Sequence, residues 1–287
     1  MIRLGPKLAQ NLAFGVMRLT AAFVVAVLVF VVGYVAYQGA GAVVRPSFWF
    51  EFPHDSLRAG GIFPALVGTL CLTLVSIAAA ALFGVPAGVY FSEYAKESRF
   101  KRFIDVMTNN LAGIPSIVFG LFGMTLFVVG LGFGDSILAG GLTLALMVLP
   151  VVIRTTEQAF RDVPQEMRIA GLGLGATRFQ TLVRVVAPMA APRILTGVIL
   201  SIGRVAGETA PIMFTVAALY LPVLPRSLFD PVMAMPYHLY VLSVSSPDPD
   251  KSLPTAFGTA LALLMFVAVL NAAAGLVRSR LERRLKR

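Results

Sequence analysis

The sequence predicts an all-α integral membrane protein with six transmembrane helices, and three observations carry that prediction. Hydrophobic residues make up 57% of the 287-residue chain and charged residues 13%. That is about half the roughly 25% charged of an average soluble domain, too little polar surface to clothe a soluble fold of this size. Uncharged stretches then recur at spanning length, which is about 20 residues for a helix. There are 26 such residues between Arg18 and Arg45, 34 between Arg58 and Glu93, 29 between Asp105 and Asp135, 18 between Asp135 and Arg154, and 26 between Lys251 and Arg278. Finally, these runs are apolar on every face, unlike the strict alternation of barrel strands. The 26 Gly and 18 Pro also suit membrane helices.

In chain order the expected spans are 18–38, 62–90, 108–130, 136–156, 192–218 and 254–277. The first has too long an apolar region for a signal peptide and no small-residue cleavage pattern after it, so it reads as a retained helix. The fifth is interrupted by Arg204 and Glu208. With both termini in the cytoplasm, the inner segments hold nineteen Lys and Arg. The outer segments hold only Arg45, Arg58, Arg226 and Lys251. That asymmetry sets the topology, and it accounts for the +10 net charge without a nucleic-acid partner; the expected partner is membrane lipid. Phe48, Trp49, Phe50 and Phe52 in the outer loop 39–61 suit an interfacial aromatic belt. The outer loop 219–253 contains six prolines and cannot be one helix. Its apolar middle, Val232 to Val244, is expected to dip back into the interface or cover a cavity. The organisation expected is 1–61 (cytoplasmic segment, first span, outer loop), 62–280 (the main membrane domain), and a basic tail at 281–287.

Cys71, the one cysteine, excludes an intramolecular disulfide and a multi-cysteine metal site. His54 and His238 fall in outer loops without metal-ligand spacing. Asn109 and Asn110 either line a pathway or cap the third span.

The inner loop 157–192 is the informative one. Asp162 with Gln165 has the spacing of a capping box, with Pro164 near the first turn. Met167, Ala170, Gly171 and Leu174 follow at helical spacing, and Gly175 supplies a stop. Thr177 with Gln180 forms a second capping box, and Phe179, Leu182, Val183 and Val186 give the next helix an apolar face. Pro188 and Pro192 separate it from the fifth span. The expected structure is a small-faced helix suited to a groove on another protein, then a second helix along the membrane surface. Gly171, Gly173 and Ala176 also match a loose dinucleotide fingerprint, but no strand precedes it and no acidic residue follows at about 20 residues.

On these residues the chain resembles the membrane subunits of bacterial ABC importers with the type I (MetI-like) fold. Their cytoplasmic motif begins Glu-Ala-Ala, with a Gly six residues after the Glu. Here Ile169 stands for the Glu, Ala170 and Gly171 for the two Ala, and Gly175 is the Gly. The stretches 60–70, 109–123, 149–160 and above all LTGVILSIGRVAGETAPIMFT at 195–215 resemble the A-type permeases of Pst phosphate importers. The resemblance covers about 220 residues. It implies a permease for inorganic phosphate in the cytoplasmic membrane, paired with a similar second permease, two copies of an ABC ATPase and an extracytoplasmic phosphate-binding protein. It implies that the ATPase docks on Glu166, Met167, Ile169, Ala170, Gly171, Leu174 and Gly175. ATP and Mg would be bound by that partner, with no cofactor in this chain.

Arg204 and Glu208 are four residues apart on the expected fifth helix. An Arg at mid-membrane costs roughly 3 kcal/mol or more, so it either staples against its neighbour or lines a polar path. Arg before Glu is the weaker stapling order. A guanidinium offers fixed paired donors to phosphate oxygens, Glu208 would hold it and weaken anion trapping, Thr209 adds a hydroxyl, and Pro211 permits a bend. Three function classes compete. An enzyme is disfavoured, because the chain lacks G-x-x-x-x-G-K-[ST], H-E-x-x-H and G-x-S-x-G. A sensor or scaffold would explain the docking loop equally well. Only a transport subunit also explains an Arg inside a span, and within that class sulfate, molybdate and phosphonate are the alternative cargoes.

Overall fold

The computed structural model describes residues 6–54, 60–96, 98–111, 113–245 and 248–285. Arg3, Arg58, Pro247, Lys286 and Arg287, counted above, lie outside them. The architecture is all-α. Among the described residues the only extended pairing is one isolated bridge, Ala217 to Val232.

Helix α1 (Pro6–Val43) is continuous and runs well past the expected 18–38. A short helix, α2 (Pro46–Phe50), follows with Pro46 in its first turn, where a missing N–H costs nothing. Within the aromatic cluster, Trp49 donates Nε1–H to the Val43 carbonyl at 2.7 Å, whereas Phe48 is buried in the core rather than facing an interface. Helix α3 (Phe63–Glu93) is the second span.

The third span departs from expectation. Residues 99–111 form a separate helix, α4 (Arg99–Leu111), with Phe103, Val106 and Met107 exposed and a basic start. Only Ser116–Gly130 is left as an apolar helix, made of α5 (Ser116–Gly123) and a π-helical continuation, Met124–Gly130. Pro115 enforces the break, because its ring disfavours helical geometry at the preceding residue. Asn110 therefore sits in the last turn of α4; the side chain of Asn109 is outside the described set.

Helix α6 (Ile137–Arg161) is N-capped by the Ser136 hydroxyl. The inner loop follows as α7 (Gln165–Gly173) and α8 (Arg178–Thr181). A π-helical turn, Leu182–Val186, joins α8 to α9 (Ala187–Gly207), so Arg178–Gly207 is one helical run. This corrects the expectation of a separate surface helix. Pro188 lies in the first turn of α9, immediately after the π turn, and so does not interrupt the run. The fifth span also ends earlier than expected. Pro211 has no N–H for the Gly207 carbonyl and its ring crowds that carbonyl. The chain becomes extended at Glu208 and restarts as α10 (Ala210–Met213). The outer loop carries α11 (Met235–Tyr240) and a π turn, Val241–Ser245, with Met235, Pro236, His238, Val241 and Leu242 buried. Helix α12 (Pro249–Leu285) closes the fold and packs on α1 and α9. Among the described residues five helices are long and apolar enough to cross a membrane, with Ser116–Gly130 the shorter sixth.

The core is a block of α3, α6 and α9 held at backbone contact. A Cβ added to Gly88 would lie 2.6 Å from the Ile153 carbonyl oxygen, and one on Gly141 would lie 2.5 Å from Val75 Cγ1. Gly197 of α9 likewise meets Thr155 of α6. Leu72, Leu144, Met147, Val152 and Val205 fill the middle of the block. Phe48, Ile62 and Met233 pack one end, and Phe160, Val163 and Val186 the other, basic end.

Two predictions follow from this packing. Gly88→Leu places atoms against a carbonyl that cannot move aside, and overpacking costs about 1–3 kcal/mol. It should lower the unfolding midpoint in detergent, while Gly33→Leu, at a site with nothing within 4 Å, should not; equal effects would show that the seam is not tight. His238 on α11 is buried without a hydrogen-bond partner on either ring nitrogen, and burial pushes its pKa down from 6.5 to about 4. The unfolded chain then takes up a proton that the native protein resists. Stability should fall as pH drops below about 6.5 and level off near 4. His238→Phe should flatten that slope in a thermal scan across pH.

Candidate functional site

Two regions of the structure hold the residues singled out in the sequence. The first lies where α9 breaks. Arg204 Nε is 3.7 Å from Glu208 Oε1, with side chains 38% and 20% exposed. The pair is therefore an ion pair across a helix end rather than along a continuous helix. Glu208 lines a narrow void with Thr69 and Thr73 of α3 and Ile212 of α10. The Thr69 hydroxyl donates to the Ala65 carbonyl and accepts from Met235 N–H, both at 2.8 Å. Arg204 faces the other way. With Arg193, Leu200 and Gly207 it forms one exposed stripe along α9, spaced by seven, four and three residues. That is the spacing of a helix–helix seam. Thr209 begins α10, its backbone carbonyl accepting from Met213 N–H at 3.2 Å. Gly120 of α5 presses on Pro211 and Ala210, where a Cβ would meet Pro211 Cα at 2.9 Å. The short span thus abuts the break.

The second region is the inner loop. Its C-terminal half matches expectation. Thr177 and Gln180 form the reciprocal capping box. Gly175 has φ +83°, the left-handed geometry glycine adopts without cost. Around it, Ala176 N–H bonds the Gly171 carbonyl and Gly175 N–H the Leu172 carbonyl, which is a Schellman ending. The N-terminal half corrects expectation: no capping box forms between Asp162 and Gln165. Pro164 is the N-cap, with no side-chain bond. The Asp162 carboxylate instead accepts from Gln158 at 2.7 Å and pairs with Arg193, because Asp162 also terminates α6 and these donors lie within reach.

Of the residues expected to dock a partner, Glu166, Met167, Ile169, Ala170, Leu174 and Gly175 are exposed, Ile169 by 63% and Leu174 by 90%. Gly171 is not. It is buried, and a Cβ there would lie 2.8 Å from Thr181 Cγ2, so it packs α7 onto α8.

Sequence reasoning missed the ionic anchors beneath this surface, having counted their cations only as topology signals. Arg168 Nη2 donates to Glu93 Oε1 at 2.6 Å and to the Phe160 carbonyl at 2.8 Å, and Nη1 donates to the Val163 carbonyl at 2.7 Å. Arg154 Nη1 lies 2.8 Å from both Asp105 Oδ1 and Glu157 Oε2, and Arg161 Nη2 lies 2.7 Å from Glu157 Oε1. This second network ties α4 to α6. The available signal was helical phase: Arg168 and Gly171 are three apart, hence on one face, and Gly171 already required a close neighbour.

Residues 84–287 match the family of binding-protein-dependent transport system inner membrane components. The phosphate transport system permease protein PstA 1 of Mycobacterium tuberculosis is 38% identical over 261 residues, covering 89% of this chain and 84% of that one. A probable ABC transporter permease protein of Bacillus subtilis, YqgI, is 35% identical over 282 residues, covering 93% and 94%. The fold is similar to a chain of the inward-facing MetNI methionine ABC transporter, with a TM-score of 0.60 over 76% of this chain and 94% of that one at 16% identity. The chain therefore belongs to the family of binding-protein-dependent transport system inner membrane components, as a multi-pass permease with the all-α type I importer fold.

Proposed function

We propose that this chain is one of two permease subunits of an ATP-driven importer of inorganic phosphate. The observation that carries the reading is Arg204: a guanidinium on an exposed helical seam, beside a break in a membrane span, held among the described residues by Glu208. An exposed stripe of this spacing asks for a second helix of similar kind, so a homologous permease completes the path. Mono- and dianionic phosphate would meet the planar donors of Arg204 at that seam, with the Thr209 hydroxyl nearby. Glu208 keeps the site from binding too tightly to release. The relatives whose names specify phosphate transport support this cargo over sulfate, molybdate or phosphonate.

In this reading both termini and the basic end lie in the cytoplasm, by the distribution of cations, and the membrane is the cytoplasmic one. The main membrane domain is 62–280. An extracytoplasmic phosphate-binding protein delivers the anion to the opposite end. Two copies of a separate ATPase bind ATP and Mg and drive the cycle; this chain contributes no cofactor site. The exposed face of α7, with Glu166, Met167, Ile169, Ala170, Leu174 and Gly175, is the docking surface for one of them, and Gly171 holds that face in place from behind.

Two outcomes test this. In cells dependent on this subunit, Arg204→Ala should cut radiolabelled phosphate uptake at least tenfold, equivalent to about 1.4 kcal/mol, with subunit abundance little changed and sulfate as control. Arg204→Lys should be intermediate, since it keeps charge but loses the fork. Near-normal uptake by Arg204→Ala combined with Glu208→Ala would reduce the pair to a staple. Separately, Ala170→Trp adds bulk to the docking face and should weaken ATPase co-purification and uptake together at normal membrane abundance. A variant that keeps both would remove α7 from the docking role.

A further inference from the structure

We propose that Arg168 and Glu93 are a positioning pair, the strut through which movement of the docked helix α7 reaches the membrane-embedded helices. This rests on the reading that an ATPase docks on α7. The geometry is specific. One planar guanidinium, with five donors in a fixed fork, engages three elements at once. It takes both carboxylate oxygens of Glu93, the last residue of α3, at 2.6 and 3.4 Å. It takes the Phe160 carbonyl in the last turn of α6 at 2.8 Å, and the Val163 carbonyl in the link to α7 at 2.7 Å. Carbonyls at a helix end have spare acceptor capacity, the Phe160 carbonyl accepting the Val163 N–H at 3.3 Å as well, and a cation near that end is favoured. The Arg168 and Glu93 side chains are only 16% and 18% exposed, so water competes little for these bonds.

Among the described residues no comparable bond holds the outward face of α7, which is exposed. Among the described residues the helix is also seated by Gly171 against Thr181 and by packing on the π turn Leu182–Val186, which are van der Waals contacts rather than directed bonds. A push or pull on α7 therefore arrives at the ends of α3 and α6 through Arg168. Beyond those ends the route is stiff. Gly84 sits on Val152, Gly88 on Ile153 and Thr156, and Gly197 of α9 on Thr155. Close-packed interiors transmit displacement rather than absorb it. The far end of α9 is Arg204 and the break at Glu208. Lys at position 168 would keep the charge yet lose the planar fork that reaches three acceptors in different directions. Charge alone predicts that Arg168→Lys is silent; the strut predicts that it is not.

The test uses the complete importer in proteoliposomes, with inorganic phosphate and its binding protein supplied outside and ATP inside. Four variants are compared: Arg168→Ala, Arg168→Lys, Glu93→Gln and Glu93→Asp. Three quantities are read: the ATPase retained per permease, the stimulation of ATP hydrolysis by loaded binding protein, and phosphate carried per ATP hydrolysed. The strut predicts normal ATPase retention and persistent basal hydrolysis in Arg168→Ala and Glu93→Gln. Both should lose about tenfold in stimulation and in phosphate per ATP. Arg168→Lys should be intermediate, and Glu93→Asp should recover most of the coupling. Unchanged stimulation and stoichiometry in Arg168→Ala and Glu93→Gln would overturn the proposal. Loss of assembled complex in both would also overturn it, by making the pair merely structural. If Ala170→Trp leaves ATPase binding intact, the docking reading itself fails; if it releases the ATPase while Arg168→Ala stays coupled, only the strut fails.

Discussion

Helices surrounded by hydrocarbon gain nothing from hiding apolar surface against one another, because lipid tails are as apolar as leucine. What holds them is close packing, and in this protein that packing depends on bare backbone at a few positions on α3, α6 and α9. Gly88 and Gly141 let α3 and α6 touch, and Gly197 brings α9 against α6. The rest of the structure is built outward from that three-helix block. The ends of α3 and α6 come together at the basic end only because the helices above them are in contact, and there Arg168 finds all its acceptors. The break in α9 lies against α3 for the same reason, which puts Glu208 beside Thr69 and Thr73.

The polar groups inside the block follow a different rule from those at its ends. Thr69, Thr73, Ser76, Thr143 and Ser201 are buried, and each returns its hydroxyl proton to a carbonyl one turn back in its own helix. They satisfy themselves, and apart from the Thr69 bond to Met235 these hydroxyls add no cross-link between elements. Charge, by contrast, is concentrated where helices end: Arg168 with Glu93, Arg154 and Arg161 with Asp105 and Glu157, and Arg193 with Asp162. The interior is therefore shaped by volume and the basic end by directed bonds. A movement applied at that end meets directed ion pairs, then a solid body.

Much of this was legible in the sequence, and the failures have identifiable causes. Apolar length located every span, the Thr177 and Gln180 capping box and the Gly175 stop were read correctly, and the prolines of the outer loop ruled out one continuous helix there. Length alone could not say where an apolar stretch changes direction. At Pro115 and Pro211 the composition stays hydrophobic while the backbone breaks, so the third span was drawn too long and the fifth continued past Gly207. The capping box at Asp162 failed because a carboxylate serves whichever donors tertiary structure brings, here Gln158 and Arg193. The Arg168 anchor was invisible because its partner Glu93 is 75 residues away in the chain. Spacing rules describe neighbours along a helix, and the pairs that fasten one element to another are mostly of the other kind.

The abbreviated third span has a consequence for the surrounding lipid. Ser116–Gly130 comprises fifteen residues, which at 1.5 Å of rise each is about 22 Å. The hydrocarbon layer of a bilayer is about 30 Å thick. The mismatch falls on the flank where α5 meets α10, at the break that follows Glu208. Either the acyl chains compress there, at a cost of fractions of a kcal/mol per Å, or another polypeptide fills the step. In the first case the greasy barrier is thinnest beside the break in α9, so the short helix lowers the cost of the polar backbone left unpaired there.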